Sequence, residues 1–344
     1  MLTIITSRRF SNHLTPPGHP ECVERAEVMQ AVAAEARAAG IAVLEPQPAT
    51  DAQLLRVHEA TYLRAVLATS GRPVAFDADT MTSPESVELA RLAAGAACQA
   101  VDVVLDGQAR RAAAFVRPPG HHAESGLAMG FCLFNNIAVV AAHARAHGVG
   151  RVAIVDFDVH HGNGTQWSFY DDPSVLFIST HQFPFYPGTG AAAEAGAGAG
   201  LGFTVNVPME AGCGDADYAT VFDRVVLPVV RRFRPELLLV SAGFDAHAAD
   251  PLAGMQVTTD GFGRMCRTLV RLADEVCHGR IVAVTEGGYD LPALGGSLRA
   301  LVAAFGEMAP AAGAAAVAEV AGTAVRGARA VDAVRAVHAR RWQL

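Results

Sequence analysis

Charge is scarce in this 344-residue chain: Asp, Glu, Lys and Arg together make up only 18% of it, and basic groups are in no excess. There are 34 acidic side chains against 27 basic ones, a formal net charge of -7. That balance argues against non-specific binding of nucleic acid, although a local basic pocket is compatible with it. Long apolar runs are missing too. No stretch approaches the ~18 consecutive apolar residues that a membrane-spanning helix needs. The opening MLTIITSRRF has no apolar segment followed by a cleavage site. A soluble, cytoplasmic protein with no membrane partner is expected. The six cysteines never fall in C-x-x-C spacing, so small buried thiols are their simplest reading.

What the chain does have is an apolar fraction of 51% and 33 glycines. No linker interrupts residues 1–344, and one sizeable domain is expected. Helix patterns fall at about 22–39, 51–69, 83–105, 134–147, 215–233 and 259–277, the third opened by Ser83-Pro84-Glu85. LTIIT (2–6), AAAFV (112–116), RVAIVDF (151–157), SVLFIS (174–179), ELLLVSA (236–242) and RIVAVTE (280–286) read as strands. They lack strict alternation, as strands covered on both faces do, and helices of crossover length separate them. An α/β fold with a mostly parallel sheet follows. GAAAEAGAGAGLG (190–202) is too glycine-rich for a helix and reads as a mobile surface loop. The alanine-rich tail from 305 suits a final helix or two.

Polar residues collect just after the strands, in RPPGHH, DVHHGNG, TH, FDAH and GGY. The carboxyl ends of parallel strands share a crevice in which ligands bind. Asp158 and His160 point the same way if strand geometry runs on to 160, and Asp245, at another strand end, is the best third ligand. Two carboxylates and an imidazole balance a divalent cation and leave a position for water or substrate, as a catalytic zinc site requires. A helix-capping Asp158 and a core His160 would account for the same residues. His121 and His122 follow Pro-Pro-Gly on a tight backbone and could move protons near such a metal; as an isolated pair they read equally as surface residues. Each ring needs an acceptor for its second nitrogen, and Asp156 and Asn163 are suitable. Tyr289 ends a Gly-Gly turn, where its phenol could meet an oxyanion or simply pack.

Taken jointly, RPPGHH (117–122), GFCLFNN (130–136), DFDVHHGNGT (156–165), FYPGTG (185–190), SAGFDAH…DPL (241–252) and EGGY (286–289) resemble the zinc-dependent histone deacetylase and acetylpolyamine amidohydrolase family. The likeness spans about 35–290, and Asn163 makes it closest to bacterial class II-like members. The resemblance implies an arginase-like three-layer α/β/α sandwich around a mostly parallel central sheet. It also implies one catalytic Zn2+ on Asp158, His160 and Asp245, with His122 as principal general base and acid and His121 as its electrostatic partner. Asp156 would orient His121, Asn163 would orient His122, and Tyr289 would polarise the carbonyl. Phe131 and Tyr186 would wall a narrow acyl channel, Tyr186 standing where phenylalanine is usual. Leu252 would sit at the channel mouth, in the region where some polyamine deacetylases carry an acid. Asp79 would hold a substrate backbone at the rim, or else serve as a capping or loop aspartate.

Relatives also bind structural K+, at positions matching Asp156, Asp158, His160 and Ser179, and around Phe169 and Val175. Gly162 and His247 stand where the two-manganese enzymes of the wider fold need further carboxylates, so one metal is expected. The implied reaction is hydrolysis of an acyl-lysine or other small N-acyl amine. Acetylpolyamine deacetylation, ester hydrolysis and a catalytically silent binding protein are the alternatives. The implied partner is a small acylamide or acyl-lysine peptide, and a homo-oligomer is compatible with the sequence.

Overall fold

Valine, isoleucine, leucine and alanine build the strands: β1 (Leu2–Ile5), β2 (Ala42–Leu44), β3 (Val74–Ala75), β4 (Met81–Thr82), β5 (Arg111–Ala114), β6 (Val152–Asp156), β7 (Val175–Gln182), β8 (Thr204–Met209), β9 (Leu237–Ala242) and β10 (Ile281–Thr285). The computed structural model describes residues 1–307 and 324–344. β3 and β4 form a small antiparallel pair. The other eight make one sheet in the order β2-β1-β5-β10-β9-β6-β7-β8, with every neighbour parallel.

The helices are α1 (Glu24–Ala38), α2 (Asp51–Leu54), α3 (Ala60–Leu67), α4 (Ser86–Leu105), α5 (Asn136–Ala146), α6 (Asn163–Ser168), α7 (Asp215–Val221), α8 (Leu227–Phe233), α9 (Thr259–Cys277), α10 (Leu291–Phe305) and α11 (Val325–Trp342). Side chains alternate across the sheet. Ala153, Val155, Leu238 and Val240 pack beneath α1 and α7 to α11, whereas Val152, Ile154, Leu237 and Leu239 pack beneath α4 and α5. The result is the expected three-layer α/β/α sandwich around a parallel sheet. α4 reaches the chain before α2 so closely that a Cβ at Gly95 would collide with the Gln47 carbonyl.

Three local expectations need correction. The small β3–β4 pair was not anticipated, nor were two strands of the main sheet: β2 is only three residues and largely exposed, and β8 carries Asn206 and Pro208, which weaken its apolar signature. The segment 51–69 is two helices, not one. Its break is fixed by His58, whose Nδ1 donates to the Glu124 carbonyl at 3.0 Å while Nε2 accepts the Asn135 N–H at 3.0 Å. In 190–202 the Glu194 carboxylate accepts the N–H groups of Gly190 and Ala191 and the amide of Gln166, which ties down a loop expected to be mobile. In the C-terminal tail α11 is a helix, and residues 308–323 lie outside those described.

The order of the strands places the site. From β6 the chain proceeds outward to β7 and β8, and from β9 it proceeds the opposite way to β10, yet β6 and β9 are hydrogen-bonded neighbours. That reversal opens a crevice at their carboxyl ends. Among the described residues no helix is long and apolar enough to cross a membrane.

Candidate metal centre and active-site channel

Beyond β6 the chain turns by using its own acids. Asp158 N–H donates to Asp156 Oδ1 at 3.0 Å, and His160 N–H donates to Asp158 Oδ1 at 2.9 Å. Asp245, arriving from β9, accepts the Val159 N–H at 2.8 Å. One ligating atom from each of Asp158, His160 and Asp245 lies within 4.8 Å of the other two. His160 Nδ1 sits 3.2 Å from Asp158 Oδ1 and 3.1 Å from Asp245 Oδ2. Glycine is required around them, because a Cβ at Gly243 would strike the Asp158 carboxylate and one at Gly287 the Asp245 carboxylate.

These three side chains are buried, and their electrostatics call for a positive charge. Burial, then the charge on Asp158, pushes the Asp245 carboxyl up to about 7. Burial also opposes ionisation of Asp158, but His121 and His160 outweigh it and hold that carboxyl below its usual range. Burial likewise disfavours charge on His160, yet its bonds to Asp158 and Asp245 raise it to about 10. A divalent cation among these donors would replace that proton. One imidazole, two carboxylates and a side open to a channel fit a catalytic zinc site.

His121 Nδ1 lies 3.0 Å from Asp156 Oδ2, and His122 Nδ1 lies 2.8 Å from Asn163 Oδ1. The Asn163 amide donates to Glu124 Oε1 at 2.8 Å, which turns its oxygen toward His122. An amide oxygen only accepts, so His122 carries its proton on Nδ1 and keeps the Nε2 lone pair free. Burial, then the charges of His121 and His160, lowers His122 well below the usual imidazole range. His121 goes the other way: burial opposes its charge, but Asp158 and Asp156 raise it to about 10. The rings are 4.0 Å apart.

A cavity of about 340 Å3 runs from this floor to the surface, lined by His122, Phe131, His160, Phe185, Tyr186, Leu252 and Tyr289, with His19, Pro20 and Asp79 among its other lining residues. Every residue expected to shape the channel therefore borders it. Asp79 belongs to the loop between β3 and β4 and does not cap a helix; its carbonyl accepts from His19 Nε2 at 2.9 Å. Tyr289 is held by its N–H, which donates to Asp250 Oδ2 at 2.7 Å, and the Arg25 guanidinium lies 5.0 Å from its ring centre. Burial drives the Tyr289 phenol well above its ordinary range, which leaves it a proton donor. Asp156 and Ser179 stand opposite each other in the β6–β7 register, and Phe169 and Val175 flank one turn after α6.

Sequence reading missed several participants. Phe185 stacks on His160 at 5.5 Å, although it adjoins Tyr186 in the same motif. Asp250 was visible only as part of DPL. Glu21, Arg25 and Arg117 form a fully buried ionic cluster with no local signature. Conversely His161, so prominent in DVHH, bonds Thr189 and Gln166 and lines no part of the channel. His247 engages both ring nitrogens elsewhere, with Thr259 and the Ala249 N–H.

A histone deacetylase domain model matches residues 19–305. A probable deacetylase of Archaeoglobus fulgidus is 40% identical over 84% of this chain and 81% of its own length. The polyamine deacetylase HDAC10 of Homo sapiens is 42% identical over 85% of this chain but only 46% of its own, so the chain spans about half of that protein. The crystal structure of the HDA15 HD domain superposes with a TM-score of 0.90 at 36% identity, covering 99% of this chain and 95% of that one. With its fold, its converging acid and imidazole donors and most of its length matched in this way, the chain belongs to the histone deacetylase family.

Proposed function

We propose that the chain is a single-domain, zinc-dependent amidohydrolase, class II-like in its Asn163, that removes acetyl-like groups from N-acyl amines such as acyl-lysine. The observation that carries this reading is the convergence of the buried Asp158 and Asp245 on His160, which lines a channel also bordered by His122 and Tyr289. Zn2+ bound by that triad would supply Lewis acidity toward a carbonyl oxygen and make water more acidic. His122 Nε2 takes the proton of the attacking water, and its Nδ1 bond to Asn163 keeps that lone pair aimed into the channel. The His121–His122 pair returns a proton to the departing amine, with Asp156 supporting the charge on His121. Tyr289 donates its phenolic hydrogen to the oxyanion. Phe131, Phe185 and Tyr186 exclude water from the aliphatic stem, and Asp79 at the rim accepts from a substrate backbone N–H. Structural K+ near Asp156 and Ser179, and in the turn between Phe169 and Val175, belongs to the same proposal.

Likeness to a human polyamine deacetylase keeps a second reading in view. Leu252, uncharged where it lines the channel, favours acyl-lysine over a polycationic chain. Purified, metal-replete protein assayed on acetyl-lysine peptide, trifluoroacetyl-lysine peptide and acetylputrescine separates the readings. The proposal expects higher kcat/KM on the lysine substrates. The reverse order would replace it with polyamine deacetylation, and no turnover of any of the three would point to a binding protein.

A further inference from the structure

The run Pro118-Pro119-Gly120-His121 leads directly into His122, and its two prolines have no N–H to offer. The two N–H groups it does have, on Gly120 and His121, both donate to one oxygen of one side chain, Glu286 Oε2, at 2.6 and 3.1 Å. Glu286 is completely buried, and its other oxygen, Oε1, has no partner. A buried carboxyl with one bare oxygen, close to Asp156 and Asp158, is an expensive way to satisfy two amides. Its place in the chain explains why it is there. The next residue, Gly287, donates its N–H to Asp158 Oδ2 at 2.8 Å, and Tyr289 follows two positions later. Arg25 clasps this same turn from behind, donating to the carbonyls of Glu286 and Gly288.

We infer that Glu286 is a positioning residue: it ties the loop carrying His121 and His122 to the strand tip that braces Asp158 and presents Tyr289, and so sets the spacing on which proton transfer depends. Acting through this geometry, it touches no substrate and binds no metal. The inference rests on the amidohydrolase reading.

Glu286→Met keeps the volume and removes the acceptor, whereas Glu286→Gln keeps an accepting oxygen. In metal-replete protein with acetyl-lysine peptide, the Met variant should lose kcat on the order of 100-fold, the scale of a small misplacement of reacting groups. Its KM should stay within about twofold, since substrate binding is untouched. Glu286→Gln should recover most of that loss. In metal-free, 15N-histidine-labelled protein, the His121 Nδ1 resonance should move in the Met variant and return in the Gln variant. Unaltered kcat and ring signals in the Met variant, or a Gln variant as impaired as Met, would overturn the inference. If the Met variant does not fold, Glu286→Asp, whose carboxylate is drawn back by one methylene, should show the same kcat loss; wild-type kcat there would overturn it. If wild-type protein turns over no acylamide, the functional reading fails, and the ring resonances still decide what Glu286 holds in place.

Discussion

A phenol that donates one hydrogen bond to a developing oxyanion is worth on the order of 100-fold to 1,000-fold in kcat. Tyr289→Phe should therefore lower kcat by that amount and leave metal content unchanged, as read by steady-state kinetics alongside elemental analysis; undiminished turnover would remove Tyr289 from the mechanism. Gly287→Ala tests the other side of the site. Its methyl group would meet the Asp245 carboxylate, so metal affinity should fall about 10-fold to 100-fold in a chelator competition. Asp158 and His160 were legible because they lie two positions apart at a strand end, where direction repeats. Asp245 could only be nominated, since 85 residues separate it from His160. Glu21 was invisible for a similar reason: its partner Arg117 lies 96 residues away. Pairings of that kind leave no spacing to read.

Loops and helices carry their own tests. Glu21 joins the channel-rim loop to α1 and to the end of β5 by pairing with both Arg25 and Arg117, none of them exposed. Glu21→Ala would leave two buried guanidiniums without their carboxylate, and about 3–5 kcal/mol of stability should be lost in urea unfolding. His58, at the break between α2 and α3, makes two bonds that only its neutral, Nδ1-protonated form can satisfy. Burial lowers its pKa from the ordinary 6.5 to about 4. The unfolded chain therefore binds this proton first on acidification. Its contribution is complete above pH 6.5 and fades as the pH falls toward about 4, by about 3 kcal/mol in all. His58→Gln should flatten the pH dependence of unfolding across that window, and an unchanged slope would contradict the assignment. The same element shows the limit of periodicity. An apolar repeat over 51–69 suggests one helix, but a tertiary contact to Glu124 and Asn135 divides it. The central strands declared themselves by continuous apolar composition. β2 and β8, at the sheet edges, did not, because one is short and the other contains a proline.

At the scale of the whole molecule, function follows from where the sheet reverses. The β6–β9 neighbour relation brings Asp158, His160 and Asp245 together, and the tips of β5 and β10 bring the histidine pair and Tyr289 to the same crevice. The layered fold was legible from alternating strands and helices; the strand order, which assembles the site, is a long-range property that composition does not encode. All 27 basic residues of these 344 are arginine, so none of them can be the acyl-lysine of the proposed reaction. The most direct test of the account is to strip the protein with a chelator and restore Zn2+ stepwise while following deacylation of an acetyl-lysine peptide. Activity should vanish on stripping, rise in proportion to added Zn2+ and level off at about one equivalent per chain, the stoichiometry of a three-ligand catalytic site. Full activity in the stripped protein, or in an Asp245→Asn variant that holds no metal, would contradict it.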